Sequence, residues 1–126
     1  MPITVLLADD SDVVRRAIRG LLEENSDIEL VGEANDFTQT VEMTKDLKPQ
    51  IILLDLHIKD GAALTPVDVK SRLNDGARIV AISFANDEEA EALAKSFGAV
   101  ALLDKMELAD ELIPTIEKFS SPGPNA

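Results

Sequence analysis

Short apolar runs alternate with amphipathic stretches along this chain. Five runs are rich in valine, isoleucine and leucine, and polar or turn-forming residues bound each of them. A strand buried on both faces of a parallel sheet has this continuous apolar pattern. The runs therefore predict five strands, at residues 3–8, 28–34, 51–54, 79–82 and 100–103. The second run alternates in part between apolar and polar residues, which favours a position at the sheet edge.

Between these runs, apolar residues recur at helical spacing, which predicts amphipathic helices. The stripes lie at residues 13–22, 37–47, 93–97 and 112–119, and a further helix is predicted to start at Thr65. Thr65 is followed by Pro66 and Asp68, the pattern of an N-cap, a proline in the first turn and an acidic partner. Gly76 and Gly98 are the expected C-caps of the third and fourth helices.

The last helix contains Pro114, which would disrupt a helix interior. A proline is tolerated in the first turn, where the amide hydrogens have no intrahelical partner. The sequence therefore predicts that this helix starts near Asp110.

Alternating strands and helices predict an α/β fold with a parallel sheet. Right-handed crossovers place helices on both faces, which gives a three-layer αβα sandwich. Analogy with flavodoxin-like folds gives the expected strand order 2-1-3-4-5. We expect one domain over residues 1–119, and a tail or the start of a linker over residues 120–126, where serine, proline and glycine are frequent.

Composition narrows the function classes. The 126 residues are 45% hydrophobic and 29% charged and include no cysteine, so disulfides and thiolate chemistry are excluded. Neither a bilayer-length apolar stretch nor a secretory signal is visible, so we expect a cytoplasmic protein that does not engage a membrane. The net charge of −12 opposes direct binding to a nucleic-acid backbone, and four phenylalanines are too few for base stacking.

Five polar residues fall at or just after the ends of the predicted strands: Asp9, Asp10, Asp55, Ser83 and Lys105. The carboxyl ends of parallel strands form one edge of the sheet, where open α/β sheets bind ligands. Three carboxylates, a hydroxyl and an ammonium group at one edge would bind a divalent cation and a phosphoryl group.

Asp9 and Asp10 could instead serve only to cap the first helix, a common role for acidic residues. Asp55 favours a metal site over simple capping, because it adds a third carboxylate at the same edge of the sheet. Two like charges about 4 Å apart repel by roughly 4 kcal/mol at an effective dielectric constant near 20. Before screening and protonation shifts, three clustered carboxylates thus need an offset on the order of 10 kcal/mol, for which a bound cation is the natural source. Ligands that are all oxygen indicate Mg²⁺, with Mn²⁺ as the alternative.

Asp55 also has the chemistry of a nucleophile that forms an acyl phosphate. Lys105 and the metal would neutralise the transferred group, and Ser83 would hydrogen-bond one of its oxygens. Taken singly, a lysine or a serine is more often a surface residue. The prediction of a phosphoryl site therefore rests on all of these residues falling at the ends of predicted strands.

The whole chain resembles a response-regulator receiver domain, most closely the LuxR-type receivers. The resemblance rests on residues 6–11, 52–56, 80–83, 98–99 and 103–105. It implies that Asp55 accepts phosphate from a histidine kinase or a phosphotransfer protein, and that a downstream effector domain or protein reads the change. It implies a signalling switch that assists its own phosphorylation and dephosphorylation, not a conventional enzyme, and a possible homodimer.

The resemblance also implies individual roles. Asp10 and Asp55 would bind Mg²⁺ directly, Asp9 would bind it through water, and the backbone carbonyl of His57 would complete the protein ligands. Lys105 and Ser83 would contact the phosphoryl group. The switch would couple Ser83 to the residue at position 102.

The sequence departs from the family pattern at five positions. Lys59 and Ala63 stand where proline and glycine are usual, and Met106 replaces the common proline after the lysine, which argues against a cis peptide there. Leu102 replaces an aromatic residue, and Phe84 is bulkier than the usual neighbour of the site. These changes keep a pseudo-receiver, an interaction module without phosphorylation, as the alternative.

Two further alternatives are weaker. Asp55-x-His57 is similar to a cobalamin-binding loop, but Gly61 comes one residue late and the later paired glycines are missing. A phosphatase of similar architecture needs an Asp-x-Asp pair, whereas Asp9 is followed directly by Asp10.

Overall fold

A computed structural model of the chain describes residues 2–58, 64–73, 76–85 and 87–120. Within them, strands and helices alternate throughout. The strands are β1 (Ile3–Ala8), β2 (Ile28–Ala34), β3 (Ile51–Asp55), β4 (Arg78–Ser83) and β5 (Ala101–Asp104). The helices are α1 (Asp12–Glu23), α2 (Phe37–Leu47), α3 (Pro66–Arg72), α4 (Glu88–Ser96) and α5 (Leu108–Ser120), and a 3₁₀ turn (Lys105–Glu107) precedes α5.

The five strands form one parallel sheet in the order β2-β1-β3-β4-β5. This order confirms the predicted topology and places the partly alternating β2 at an edge. Val5 pairs with Leu30 and Leu6 with Gly32, so Val31 is an extra residue in β2. Such a bulge increases the local twist, a common device at sheet edges.

Two apolar layers cover the sheet, as the αβα prediction requires. Residues that alternate along each strand point to opposite faces. On one face, α2, α3 and α4 pack on the sheet through Phe37, Val69, Ala94 and other buried residues. On the other face, α1 and α5 pack through Ile18, Leu22, Leu112 and Ile116.

The predicted start of α3 is confirmed, whereas its C-cap is Leu73 and not the predicted Gly76, which lies three residues further on at a φ of +88°. The Thr65 hydroxyl accepts from the Asp68 backbone N–H, and the Asp68 carboxylate accepts from the Thr65 N–H, which makes a capping box. Lys48 ends α2 at a φ of +46°, and Gly98 follows α4 at a φ of +79°. Only glycine adopts that second conformation without strain.

The predicted start of the last helix is wrong. The helix begins at Leu108, so Pro114 lies inside it. The Asp104 carboxylate accepts from the Met106 N–H at 2.8 Å, and the 3₁₀ turn that follows leads directly into α5. Side-chain capping thus nucleates the turn upstream of Asp110.

Smaller differences concern element ends. β5 starts at Ala101 rather than residue 100, although the Val100 N–H still donates to the Ile79 carbonyl at 2.8 Å. α5 continues through Ser120, and the rest of the predicted tail lies outside the described residues, as do Lys59 and Ala63. No helix within the described ranges is long and apolar enough to span a membrane.

Candidate functional site

The strands bring the predicted site residues to the same edge of the sheet. Asp9 follows β1, Asp55 ends β3, Ser83 ends β4 and Lys105 follows β5. All but Ser83, together with Asp10, line a cleft of about 350 Å³. The topology therefore brings together four of the five residues directly, and Ser83 lies immediately before a residue that lines the cleft, Phe84.

The three carboxylates form a tight acidic cluster. One oxygen from each of Asp9, Asp10 and Asp55 lies within 4.8 Å of the others. Asp9 is completely buried and Asp55 is 4% exposed, whereas Asp10 is exposed to solvent. Two of the three charges are thus removed from water, and this removal costs free energy unless the charges are paired.

Backbone amides orient the two buried carboxylates. The Ser11 N–H donates to Asp9 Oδ1 at 2.8 Å, and the His57 N–H donates to Asp55 Oδ1 at 3.1 Å. Both bonds span two residues, the short-range geometry that aspartate favours in turns. The loop after each strand therefore fixes the carboxylate at its end.

Lys105 supplies the positive charge that the buried pair requires. Its Nζ lies 2.7 Å from Asp9 Oδ2 and 3.3 Å from Asp55 Oδ1, and its side chain is only 6% exposed. Nζ also lies 5.0 Å from the centroid of the Phe84 ring. The ammonium group thus sits between two carboxylates and an aromatic face.

Burial raises the pKa of the Asp55 carboxyl above its ordinary value. The hydrogen bond from the His57 N–H opposes this rise, the negative charge of Asp9 adds to it, and the ammonium of Lys105 lowers the pKa again. Since burial dominates, a second positive charge in the cleft would favour the ionised form of Asp55.

The cleft has the donors that a hard divalent cation needs. Oδ2 of Asp9 is buried and, among the described residues, has Lys105 as an ion-pair partner but no hydrogen bond of normal geometry. The carboxylates offer oxygen only, and His57 lines the same cleft. This donor set fits Mg²⁺, which prefers one or two carboxylates and keeps several waters.

Ser83 and Leu102, the two predicted switch residues, do not line this cleft. Ser83 is fully buried, and its Oγ accepts from the Ala85 N–H at 3.0 Å. Leu102 pairs in register with Ala81 and packs partly buried against the α2–α4 layer. The peptide bond between Lys105 and Met106 is trans, as expected without a proline.

A family model for the response regulator receiver domain matches residues 5–117. The chain belongs to this family. It is thus a receiver domain of the two-component type, and the predicted likeness to LuxR-type receivers is confirmed.

Receiver domains of longer regulators are the chain's relatives by sequence. The transcriptional regulatory protein LiaR of Bacillus subtilis is 35% identical over 124 residues, which cover 97% of this chain and 58% of LiaR. The nitrate/nitrite response regulator NarL of Escherichia coli K12 is 37% identical over 120 residues, which cover 95% of this chain and 56% of NarL. The chain therefore spans little more than half the length of these relatives.

Solved structures confirm the receiver fold. The response regulator domain of Thermotoga maritima CheB superposes with a TM-score of 0.83 at 24% identity, covering 98% of this chain and 100% of that domain. At this identity the likeness concerns the fold alone.

Sequence reasoning missed the immediate surroundings of the receiver's lysine. It did not anticipate that Lys105 would pair with Asp9 or that Phe84 would lie against the ammonium group. The strand register could have indicated the second contact. Ser83 pairs with Asp104 across β4 and β5, so the residues that follow them, Phe84 and Lys105, emerge side by side.

Proposed function

We propose that this receiver domain is a phosphorylation switch in which Asp55 is the phosphoryl acceptor and Mg²⁺ is the cofactor. The observation that carries the proposal is the position of Asp55, in a cleft with two further carboxylates within 4.8 Å and the Lys105 ammonium at 3.3 Å. This set supplies a nucleophile, oxygen ligands for a cation and a counter-charge for a phosphoryl group.

In the proposed reaction, an Asp55 carboxylate oxygen attacks the phosphorus of a phosphohistidine in a kinase or phosphotransfer protein. The oxygen–phosphorus bond forms, the nitrogen–phosphorus bond breaks, and the departing imidazole nitrogen takes a proton from solvent. Bound Mg²⁺ would neutralise charge on the transferring oxygens. Asp9, Asp10, Asp55 and the His57 carbonyl would hold it, with Asp9 acting through water.

Lys105 changes partner in this scheme. Before transfer its ammonium group balances Asp9 and Asp55. After transfer, about two negative charges reside on the phosphoryl group, and Lys105 pairs with one of its oxygens. The ammonium therefore neutralises whichever anion dominates the cleft.

Ser83 is the proposed link to the output surface. Its hydroxyl now accepts from the Ala85 N–H, which holds the backbone immediately after β4. A phosphoryl oxygen that accepts from this hydroxyl would draw Ser83 toward the cleft and displace the backbone that the hydroxyl holds. Leu102 lies on the neighbouring strand, so its packing would adjust to that movement. The affected surface, formed by α4, β5 and α5, would then bind the output partner.

We further propose that the output partner is an effector domain or protein and that this domain does not bind nucleic acid itself. The chain's charge of −12 opposes DNA binding. The longer relatives include a transcriptional regulatory protein, which supports an effector that acts on transcription. A second copy of the receiver is another candidate partner for the same surface.

Intact-mass measurement after incubation with acetyl phosphate tests the acceptor assignment. The wild type should gain one phosphoryl group in Mg²⁺ and none in EDTA. Asp55→Asn should gain none, whereas Asp46→Asn, which changes an exposed aspartate of α2, should behave like the wild type. Normal uptake by Asp55→Asn would overturn the assignment.

A second candidate is a pseudo-receiver that binds partners without being phosphorylated. It is favoured by Leu102 at the usual aromatic switch position and by the Phe84 ring against the site lysine. Mg²⁺ titration separates the two functions, because a pseudo-receiver has no need for the metal. Absence of both Mg²⁺ binding and phosphoryl uptake in the wild type would favour the pseudo-receiver.

A further inference from the structure

The Lys105 ammonium contacts both buried carboxylates of the proposed metal site. It lies 2.7 Å from Asp9 Oδ2 and 3.3 Å from Asp55 Oδ1. A divalent ion that binds the same carboxylates, directly or through water, brings a second positive charge close to the ammonium group, and the two charges repel each other. The chain therefore carries a tethered cation that competes with the metal for the site.

We propose that Phe84 is a positioning residue that holds this tethered cation on the carboxylates and so sets how much Mg²⁺ is needed to displace it. This inference deepens the magnesium site proposed above and rests on it. In this role Phe84 acts through Lys105.

The strand register explains why the ring and the ammonium meet. Ser83 and Asp104 are directly paired at the ends of β4 and β5, and Phe84 and Lys105 are the first residues after these strands. Phe84 lines the cleft and is 62% exposed, so its bulk does not serve the core. Its ring faces the ammonium at a centroid distance of 5.0 Å, within the range of a cation–π interaction.

The ring favours the metal-free arrangement in two ways. Its quadrupole attracts the ammonium group, and its bulk covers a lysine side chain that is only 6% exposed. Reduced exposure strengthens the pairing between Lys105 and the carboxylates. An interaction of this kind at a partly exposed site corresponds to about a two- to fivefold change in an equilibrium constant.

Mg²⁺ titration followed by backbone amide chemical shifts tests the proposal. The chain lacks tryptophan and tyrosine, so intrinsic fluorescence gives little signal. The amides of His57 and Met106 report on the cleft. Phe84→Ala should tighten Mg²⁺ binding about two- to fivefold. Val67→Ala, which removes an exposed apolar side chain on α3, should leave it unchanged.

Conservative variants of Phe84 separate the effect of its aromatic face on Mg²⁺ binding from the effect of its size. Phe84→Tyr keeps the ring and should bind Mg²⁺ like the wild type. Phe84→Leu keeps part of the apolar bulk but lacks the ring, so its affinity for Mg²⁺ should fall between those of the wild type and Phe84→Ala. These comparisons leave Lys105 in place, so they do not depend on whether a lysine variant folds.

A double-mutant cycle tests whether Phe84 acts through Lys105. Lys105→Met alone should tighten Mg²⁺ binding more than Phe84→Ala does. Adding Phe84→Ala to Lys105→Met should then change nothing, because no ammonium remains to be held. An equal gain from Phe84→Ala with and without Lys105 would mean that the ring merely blocks the cleft, and would overturn the proposal.

Two kinds of failure are distinguishable in this experiment. Absence of Mg²⁺ binding in the wild type and in every variant would contradict the proposed magnesium site itself. Mg²⁺ binding that is normal in the wild type but unchanged or weaker in Phe84→Ala would leave the proposed function standing and reject the role of Phe84.

Discussion

Replacing Lys105 with methionine should destabilise the metal-free protein. The lysine side chain is 6% exposed, and the side chains of its partners Asp9 and Asp55 are 0% and 5% exposed. Methionine keeps the length and apolar character of the side chain but removes the charge. Two buried carboxylates would then face each other without the ammonium that now balances them.

The size of the effect follows from this burial. Removing one partner of a buried ion pair typically costs about 3–5 kcal/mol, because the remaining charge is left uncompensated. The cleft opens to solvent on the side of the exposed Asp10, and Asp55 can take up a proton. We therefore expect Lys105→Met to lower the free energy of unfolding by about 3 kcal/mol, the lower end of that range. This is a large part of the total stability of an ordinary domain.

Urea unfolding followed by circular dichroism in EDTA measures this loss directly. Lys118→Met is the matched control, since Lys118 also lies over a phenylalanine, Phe119, at 5.3 Å but is exposed. It should change the free energy of unfolding by no more than about 0.5 kcal/mol. Saturating Mg²⁺ should restore much of the stability lost in Lys105→Met, because the ion replaces the missing positive charge.

The difference in stability between the wild type and Lys105→Met should become smaller as pH falls. Lys105 lowers the pKa of the Asp55 carboxyl, so its removal raises that pKa further above the unfolded value. The folded state then binds more protons than the unfolded state, and its stability increases as pH falls through the folded pKa. A variant as stable as the wild type in EDTA at neutral pH would refute the reasoning.

Urea unfolding also tests four other substitutions. Gly32→Ala should destabilise by about 1 kcal/mol, since its Cβ would lie 2.9 Å from Leu47 Cδ1; a gain in stability would contradict the packing. Gly20→Ala, which has open space in the middle of α1, should stabilise by about 0.5–1 kcal/mol. Pro114→Ala should stabilise by about 2 kcal/mol by restoring an N–H inside α5. Asp55→Asn should stabilise the metal-free protein at neutral pH, because burial raises the pKa of Asp55, and should reduce the stabilisation by Mg²⁺.

The fold was predictable because the central strands β3 and β4 are buried on both faces. Continuous apolar runs such as residues 51–54 arise only when helices cover both sides of a sheet, and this requirement also fixes the αβα layers. Parallel strands then bring Asp9, Asp55 and Lys105 to one edge whatever the details of packing. Side chains that follow strands are therefore the part of a site that sequence predicts best.

Local geometry was less predictable, because it depends on single side-chain contacts. α5 starts early because Asp104 caps the turn before it, and aspartate forms such caps at many places where no helix follows. The contact between Phe84 and Lys105 depends on the register of β4 against β5, which apolar runs do not specify. The bond from the Ala85 N–H to the Ser83 hydroxyl likewise depends on the conformation of one loop.

The central claim is that Asp55 is the residue that carries the phosphoryl group. Borohydride reduction after phosphorylation with acetyl phosphate and Mg²⁺ converts an aspartyl phosphate to homoserine, and peptide mass mapping then locates it. The account predicts homoserine at position 55 alone, and unmodified aspartate at positions 9 and 10. Homoserine at Asp9 or Asp10 instead, in a protein that has gained one phosphoryl group, would contradict the account.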